Sequence, residues 1–176
     1  MTKEILLAGF GGQGILFAGK LLAYFALLDG KEVSWLPSYG PAMRGGTCNC
    51  SVCIDDDHIG SPMVLKPDVL FVMNQPSYDK FIGTVKTGGI AIIDETLVKR
   101  GVGREDISYH YIQATKLALD NGLKGMANII MLGKLLNETD ITAGENIQKA
   151  MEKSIPLHKV QLIELNMKAL ELGKNN

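Results

Sequence analysis

The chain of 176 residues is 46% hydrophobic and 21% charged, which predicts one globular domain over residues 1–176 and excludes a disordered chain. Its formal net charge of −1 gives no basic surface for nucleic acid or for an anionic membrane. The longest apolar stretch, residues 15–28, is too short to span a bilayer and no signal-peptide pattern is visible, so we expect a cytoplasmic protein with reduced cysteines.

The N-terminal part of the chain predicts a β-α-β unit. Residues 4–8 form a short apolar run that ends at a glycine turn, as is typical of a buried parallel strand. Residues 15–28 predict an apolar helix of about four turns. Asp29-Gly30 ends this helix, because glycine suits the left-handed position after a helix. A second strand is expected over residues 32–36, with a right-handed crossover.

The next segment predicts a loop followed by strands and turns. Residues 37–46 contain two prolines and three glycines, which is typical of a loop. Residues 47–54 alternate in polarity and predict a strand, and residues 55–60 predict a hairpin turn from which the chain returns. A buried strand is expected over residues 69–73 and a helix over residues 77–85.

Helices dominate the remainder of the chain. The predicted elements are strands over residues 90–94 and 108–112 and helices over residues 115–119, 126–136, 142–151 and 160–172. Thr142 and Glu145 form a capping box at one predicted helix start. The last helix is apolar on two sides and needs two packing partners, the second being either its own chain or a neighbouring subunit. The whole pattern predicts an α/β fold: a Rossmann-like three-layer domain with a mainly parallel sheet and helices on both faces.

The segment GFGGQG, residues 9–14, matches the G-x-G-x-x-G pattern of phosphate-binding turns. A dinucleotide site also needs an acidic residue about 20 positions on, but residues 36–38 are Leu-Pro-Ser. A P-loop needs Ser or Thr after the lysine, and Leu21 stands there instead. The loop can still bind an anion through free N–H groups at the start of the helix, aided by the Gln13 amide. The glycines equally fit a tight strand-to-helix turn without a ligand.

A second glycine-rich loop follows the second predicted strand. Ser38, Tyr39 and Arg44 lie where that strand ends, at the sheet edge at which ligands bind in open α/β folds. Gly45 and Gly46 would let Arg44 face the first glycine loop. Two such loops and an arginine predict a cradle for phosphate or carboxylate. The candidate binding residues are Gly9, Gly11, Gly12, Gln13, Gly14, Ser38, Tyr39, Arg44, Gly45 and Gly46.

Five segments in this order resemble the gamma subunit of the 2-oxoacid:ferredoxin oxidoreductases. They are GFGGQG, SYGPAMRGGTCNCSV, IGSP, KPDVLFVMNQPSYDKF and NIIMLG, and they span residues 9–133. The chain is most similar to the 2-oxoglutarate type, with the pyruvate and 2-oxoisovalerate types close. Residues 1–176 therefore resemble a single pyruvate/ketoisovalerate oxidoreductase gamma-type domain.

The resemblance implies the reaction and the partners. A 2-oxoacid is oxidatively decarboxylated with coenzyme A to acyl-CoA, CO₂ and reduced ferredoxin. Thiamine diphosphate, Mg²⁺ and the iron–sulfur clusters are expected on alpha, beta and delta-type subunits, and ferredoxin acts through the complex. This chain would support assembly and could bind coenzyme A. No catalytic residue or metal ligand is expected on it, and the isolated chain should be inactive.

Two alternatives stay open at this point. One is a purely structural subunit whose loops meet no ligand. The other is a stand-alone NAD-dependent oxidoreductase, which the missing acidic residue after the second strand argues against.

Other polar side chains have a structural interpretation. Cys48 and Cys50 would share one face of a strand while Cys53 faces the other way, so three buried free thiols are expected rather than a metal site. The Asp-Asp-Asp run at residues 55–57 predicts a solvated turn. His110 has no visible carboxylate partner in the sequence.

Overall fold

A computed structural model describes residues 2–38, 47–101, 103–142 and 146–176. The strands are β1 (Lys3–Phe10), β2 (Glu32–Ser38), β3 (Thr47–Asp55), β4 (Val69–Val72), β5 (Ile90–Asp94) and β6 (Ser108–Ile112). The helices are α1 (Ile15–Leu28), α2 (Gln75–Phe81), α3 (Ala114–Asp120), α4 (Ala127–Glu138), α5 (Ile147–Ser154) and α6 (Gln161–Lys174). Short 3₁₀ turns cover Ile82–Thr84 and Leu157–Lys159.

The strands form one six-stranded sheet in the order β2-β3-β1-β4-β5-β6. The strand pairs β1–β4, β4–β5 and β5–β6 are parallel. Strand β3 runs antiparallel to both of its neighbours, β1 and β2. All strands except β3 therefore point the same way, which confirms the predicted α/β fold with a mainly parallel sheet.

Two apolar layers hold helices against the two faces of the sheet. On the first face, α1 packs with α3, α4, α5 and α6 around inward side chains such as Phe25, Phe71 and Ile129. On the second face, α2 packs around Leu70, Ile93 and neighbouring side chains. The sequence explains α1 directly, because its buried residues recur at helical spacing and include Ile15, Ala18, Leu22 and Phe25.

Helices α4 and α6 approach each other closely at two glycines. A Cβ atom added at Gly133 would collide with the carbonyl oxygen of Leu170, and one added at Gly173 would collide with that of Ile130. Because the contact is backbone against backbone, any larger side chain would force the helices apart. The face of α6 that includes Ala169 and Leu170 is buried on its own chain.

Several predicted boundaries were wrong. Residues 56–68 contain no strand, so the predicted hairpin return is absent, and β3 pairs with β1 and β2 instead. Strand β2 continues through Pro37, which an edge strand tolerates because one side of its backbone has no partner strand.

The predicted helix start at the capping box was also wrong, since α5 begins at Ile147. The Thr142 hydroxyl donates to the Asp29 carboxylate after α1. Glu145, the other half of the predicted box, lies outside the described residues. In the described part of the chain, no helix is long and apolar enough to cross a membrane.

Candidate functional site

The candidate site lies at the carboxyl edge of the sheet, beside the neighbouring strands β1 and β4. From β1 the chain continues toward β2 on one side, while β4, β5 and β6 extend the sheet on the other. Ligands in open α/β sheets bind in the crevice at such a reversal of strand order. The glycine loop, residues 9–14, connects β1 to α1 at this position.

The backbone of the glycine loop requires glycine at specific positions. Gly12 and Gly14 have φ of 99° and 73°, in the left-handed region that other residues rarely adopt. A Cβ atom at Gly9 would lie 2.7 Å from both Gln13 Oε1 and Ile15 Cδ1. These glycines therefore form the tight turn expected from the sequence: Gly12 is required by its backbone conformation, and Gly9 by the lack of room for a side chain.

The Gln13 side chain holds the loop to the neighbouring strand. Its Oε1 accepts from the Phe10 N–H at 2.6 Å, and its Nε2 donates to the Met73 carbonyl at 2.9 Å. Asn74 Nδ2 also donates to Gln13 Oε1, at 3.4 Å. The Gln13 amide is thus engaged with the protein on both of its polar ends, so its predicted contact with a ligand stays a prediction.

Asn74 is the N-cap residue of α2. Its Oδ1 accepts from the Ser77 N–H at 2.8 Å and so caps the N-terminus of α2. The side chain is almost fully buried between the end of β4 and the glycine loop. Asn74 therefore couples the start of α2 to Gln13.

Helix α1 begins at Ile15, and its N-cap residue, Gly14, provides no side-chain cap. The first N–H groups of a helix have no intrahelical acceptor, and the helix dipole places partial positive charge there. Asn128, in the first turn of α4, donates through Nδ2 to the Gly14 carbonyl at 3.0 Å. The start of α1 is thus positioned by α4 and remains able to bind an anion.

The sequence singled out Asn128 only as part of a family motif and did not predict this contact, since the two residues are 114 positions apart. A side chain at Gly14 would also meet Asn128, because an added Cβ would lie 2.5 Å from Nδ2.

The other predicted binding residues are only partly described. Ser38 is exposed at the carboxyl end of β2 and pairs in register with Asn49 of β3. Tyr39, Arg44, Gly45 and Gly46 lie outside the described residues. The start of β3 is brought to the same edge, because Thr47 is in register with Phe10.

A cavity of about 230 Å³ opens beside the glycine loop at this edge. It is lined by Gly12 and Gln13 on one side and by Leu97 and Leu119, both exposed, on the other. Its walls can take an apolar part of a ligand whose anionic part lies at the start of α1.

One buried acid at the edge was missed by the sequence analysis. Asp94 ends β5 and is fully buried. One of its oxygens accepts from the Thr115 hydroxyl at 2.5 Å and the other from the Thr96 N–H at 3.1 Å. An acid directly after the apolar run IAII is the signal that could have identified it. These contacts fix the start of α3, and they engage both oxygens of Asp94 within the protein.

The three cysteines behave as expected. All are buried and free, with Cys48 and Cys50 in the layer on the first face and Cys53 in the layer on the second. Burial raises the pKa of Cys50 to about 12, so its thiol stays protonated and a poor metal ligand. Within the described residues, no group of three or more His, Cys, Asp or Glu side chains could hold a metal ion.

Two charged side chains have contacts that the sequence did not reveal. His110 Nδ1 lies 2.9 Å from Glu138 Oε2 at the end of α4. Asp55 is buried at the end of β3 rather than solvated, and it accepts from the Thr2 hydroxyl and the Asp57 N–H. His110 and Glu138, like Asp55 and Thr2, are distant in the sequence, so a local pattern does not reveal these contacts.

Comparisons with known proteins agree on one family. The profile described as pyruvate ferredoxin/flavodoxin oxidoreductase matches residues 4–175. The 2-oxoglutarate synthase subunit KorC of Methanocaldococcus jannaschii is 43% identical over 159 residues, which cover 89% of this chain and 85% of that subunit. The ketoisovalerate oxidoreductase subunit VorA of Methanothermobacter marburgensis is 39% identical over 97% of this chain, but the match covers only 35% of that longer subunit.

Solved structures give the same fold. The gamma subunit of a keto/oxoacid ferredoxin oxidoreductase from Geobacter sulfurreducens superposes with a TM-score of 0.83 at 30% identity, over 98% of this chain and 96% of that one. A 2-oxoglutarate:ferredoxin oxidoreductase from Magnetococcus marinus, solved with 2-oxoglutarate, coenzyme A and succinyl-CoA bound, has a TM-score of 0.88 at 20% identity. That match covers 99% of this chain and 30% of the Magnetococcus chain, and at this identity it shows the fold alone.

Proposed function

The chain belongs to the pyruvate ferredoxin/flavodoxin oxidoreductase family, and we propose that it is the gamma subunit of a multi-subunit 2-oxoglutarate:ferredoxin oxidoreductase. The complex would convert a 2-oxoacid and coenzyme A to acyl-CoA, CO₂ and reduced ferredoxin. The observation that carries the proposal is the 43% identity to a KorC subunit of similar length. Since VorA and PorC subunits are also relatives, 2-oxoisovalerate and pyruvate are the competing substrates.

The chain's role in the complex would be assembly and coenzyme A binding rather than redox chemistry. Thiamine diphosphate supplies decarboxylation and iron–sulfur clusters supply electron transfer in the proposed complex, and alpha, beta and delta-type subunits would hold them. Among the described residues, no group of three or more His, Cys, Asp or Glu side chains is placed to hold a metal ion. The segment that matches this chain makes up about a third of the longer VorA subunit. This supports the proposal that the present chain acts in contact with other domains of the complex.

Coenzyme A binding is supported by the geometry of the first glycine loop. The free N–H groups at the start of α1 and the narrow turn at Gly12 and Gly14 suit a phosphate oxygen. The cavity of about 230 Å³ beside the loop gives room for an apolar part of the same ligand. Ser38, Tyr39, Arg44, Gly45 and Gly46 are proposed as the second side of this cradle, with Arg44 supplying the charge.

Reconstitution tests the assignment. The full chain would be co-expressed with its candidate alpha, beta and delta-type partners, purified as a complex, and assayed for ferredoxin reduction with 2-oxoglutarate, pyruvate and 2-oxoisovalerate. We expect coenzyme A-dependent reduction with 2-oxoglutarate as the preferred substrate. Failure of the chain to copurify with any of these partners would reject the subunit assignment, and a preference for another 2-oxoacid would reject the substrate.

The Arg44→Ala variant of the complex tests the cradle. We expect a higher KM for coenzyme A with an unchanged KM for the 2-oxoacid. The matched control is Arg100→Ala, because Arg100 is an exposed arginine that pairs with Glu95. Equal coenzyme A KM values in the wild type and Arg44→Ala would remove Arg44 from the ligand site.

A purely structural subunit is the second candidate, and one observation favours it. The side chains that hold the glycine loop are engaged inside the protein: Gln13 with Phe10 and Met73, and Asn74 with Ser77. A complex that lacks this chain but still binds coenzyme A with the same affinity would support that alternative.

A further inference from the structure

Strand β2 is the outermost strand on one side of the sheet, and its outer edge has no partner strand in the described part of the chain. The backbone N–H and C=O groups on that edge are therefore able to pair with another strand. Natural edge strands are often blocked by charged side chains or proline. In β2 the charged residue is Glu32, at the first position, and Pro37 lies near the end, so the middle of the strand carries neither block.

On the first face of the sheet, an apolar surface adjoins this edge. Helix α1 has the sequence ILFAGKLLAYFALL, in which Lys20 is the one charged residue. A helix that is apolar on all sides is normally buried on all sides, yet Leu27 is 53% exposed. Tyr24, Leu27 and Trp35 line a cavity of about 380 Å³ between α1 and β2. The composition of α1 therefore suits burial on a side that the described residues leave open.

On the second face, another apolar surface adjoins the same edge. Leu36, Met63 and Leu65 line a cavity of about 390 Å³, and all three are exposed, Leu65 to 73%. Trp35 and Leu36 are adjacent in an extended strand, so their side chains point to opposite faces of the sheet. Exposed apolar side chains thus lie on both sides of one unpaired strand edge. We call this region the β2 edge surface; it consists of Tyr24, Leu27, Trp35, Leu36, Met63 and Leu65.

An added strand fits the β2 edge surface better than a helix does. The unpaired backbone groups of β2 need hydrogen-bond partners, which the backbone of an extended segment supplies. Side chains of such a segment alternate between the two faces, so consecutive apolar residues would cover both apolar surfaces at once. A helix would cover one face and leave the backbone edge of β2 unpaired.

The charge beside the edge separates a foreign strand from a second copy of this chain. Lys20 lies at the same cavity as Trp35, with Nζ 5.6 Å from the centre of the Tyr24 ring, and it has no carboxylate partner in the described part of the chain. The two-fold pairing of β2 with its copy that gives the greatest overlap is centred on Trp35, the middle residue of the strand. Two Lys20 side chains would then lie close together and repel each other. A carboxylate on a different partner would instead pair with Lys20.

We propose that the β2 edge surface binds an extended segment of a partner subunit, with apolar residues at consecutive positions and an Asp or Glu beside them. The segment would add a strand next to β2. The partner would be the subunit that corresponds to the part of VorA outside the matched segment, because VorA joins the two parts in one chain. The inference rests on the proposed function, since that function places this chain in a multi-subunit complex.

Calorimetric titration of the full chain with the purified partner subunit tests the proposal. Leu27→Lys and Leu65→Lys, one on each face, should each weaken binding about 10-fold or more, because each replaces a buried apolar contact by a charge. Lys20→Glu should weaken binding by a similar factor, because it would face the partner's carboxylate with a like charge. Leu27 and Leu65 are exposed in the free chain, so their replacement should leave its Tm nearly unchanged.

The chain offers a matched control in Val160→Lys. Val160 is also an exposed apolar residue, but it lies directly before α6. Val160→Lys should leave the affinity unchanged, and an equal loss in this variant would show that the β2 edge surface is not the docking site. If only one of the two leucine variants weakens binding, the partner covers one face of the sheet and strand addition is wrong.

Hydrogen exchange of the assembled complex keeps this test apart from the proposed function. Amides of β2 should exchange at least about 10-fold more slowly in the complex than in the free chain, because the added strand accepts their hydrogen bonds. A complex that reduces ferredoxin while β2 exchanges as fast as in the free chain would retain the proposed function and reject the docking surface. A chain that binds no partner subunit would reject both. Self-association of the free chain that Leu65→Lys abolishes would assign the surface to a second copy and overturn the proposal.

Discussion

At the scale of single residues, Gln13 explains how the glycine loop keeps its shape. Its amide oxygen and nitrogen bond to the ends of two adjacent strands, through the Phe10 N–H and the Met73 carbonyl. A loop built mostly from glycine loses much backbone entropy on folding, so such a side-chain connection matters for its order. Gln13 therefore fixes the position of the loop backbone.

Replacement of Gln13 by Glu should destabilise the protein by about 1–3 kcal/mol. The carboxylate keeps an acceptor for the Phe10 N–H but places an oxygen against the Met73 carbonyl, where Nε2 donated. Urea denaturation measures the change. Gln161→Glu is the control, since Gln161 is exposed at the start of α6 and the substitution should stay within about 0.5 kcal/mol of the wild type. Equal effects of the two substitutions would show that Gln13 does not hold the loop.

The sequence predicted the backbone turn of the glycine loop, but it did not predict which side chains contact that loop. The glycines at residues 9–14 and the uncapped start of α1 follow from a local pattern. The bond from Asn128 to Gly14 does not, because it joins residues that only the folded sheet brings together. The pairing of His110 with Glu138 is equally non-local.

At the scale of elements, helix α4 is fixed by its close contact with α6. Gly133→Ala should destabilise the protein by about 1–3 kcal/mol or more, because the new methyl group meets the Leu170 carbonyl and forces a shift of the backbone. Chemical denaturation of the variant measures this. Gly60→Ala is the control, since nothing lies within 4 Å of a Cβ atom there. If Gly133→Ala were as stable as Gly60→Ala, the close helix contact would be refuted.

The segment before β6 is held by an ion pair whose strength depends on pH. Hydrogen bonds from Arg104 and Thr87 lower the pKa of Asp106 from 3.8 to about 2. A carboxyl group with a lowered pKa contributes stability above its unfolded pKa and loses that contribution as the pH falls through the folded value.

Asp106→Asn should therefore lower the urea midpoint at pH 7, and the difference from the wild type should shrink between pH 4 and pH 2. Glu105→Gln is the neighbouring control, since the Glu105 side chain has no polar partner in the described part of the chain. A difference for Asp106→Asn that is constant with pH would contradict the pairing with Arg104.

Elements were predictable where an apolar run is bounded by glycine or a charged residue. Helix α1 and strands β5 and β6 match their predicted limits for that reason. The start of α5 was missed because its N-cap residue, Asn146, is held by Leu28 and Asp29, which lie more than 110 residues away in the sequence.

At the scale of the whole molecule, the sheet is well covered in its centre and open at β2. Side chains of β4 and β5 such as Leu70 and Ile92 are fully buried, whereas Trp35 and Leu36 of β2 are 37% and 41% exposed. The place of β3 between β1 and β2 could not be predicted, because strand order is decided by packing across the sheet rather than by local pattern.

Hydrogen exchange should follow this gradient. Amides of β1, β4 and β5 should exchange only through global unfolding, and those of β2 should exchange faster. Hydrogen-exchange mass spectrometry of the free chain measures both sets. Equal protection of β2 and β4 in the free chain would contradict the open edge.

The reversed direction of β3 has a practical use in protein engineering. Ser38 ends β2 and Thr47 begins β3 at the same edge of the sheet, so both junctions of a segment exchange over residues 39–46 would lie on paired strand ends. Chimeras that carry this octapeptide from a VorA or PorC relative would vary the segment while keeping the strands that flank it.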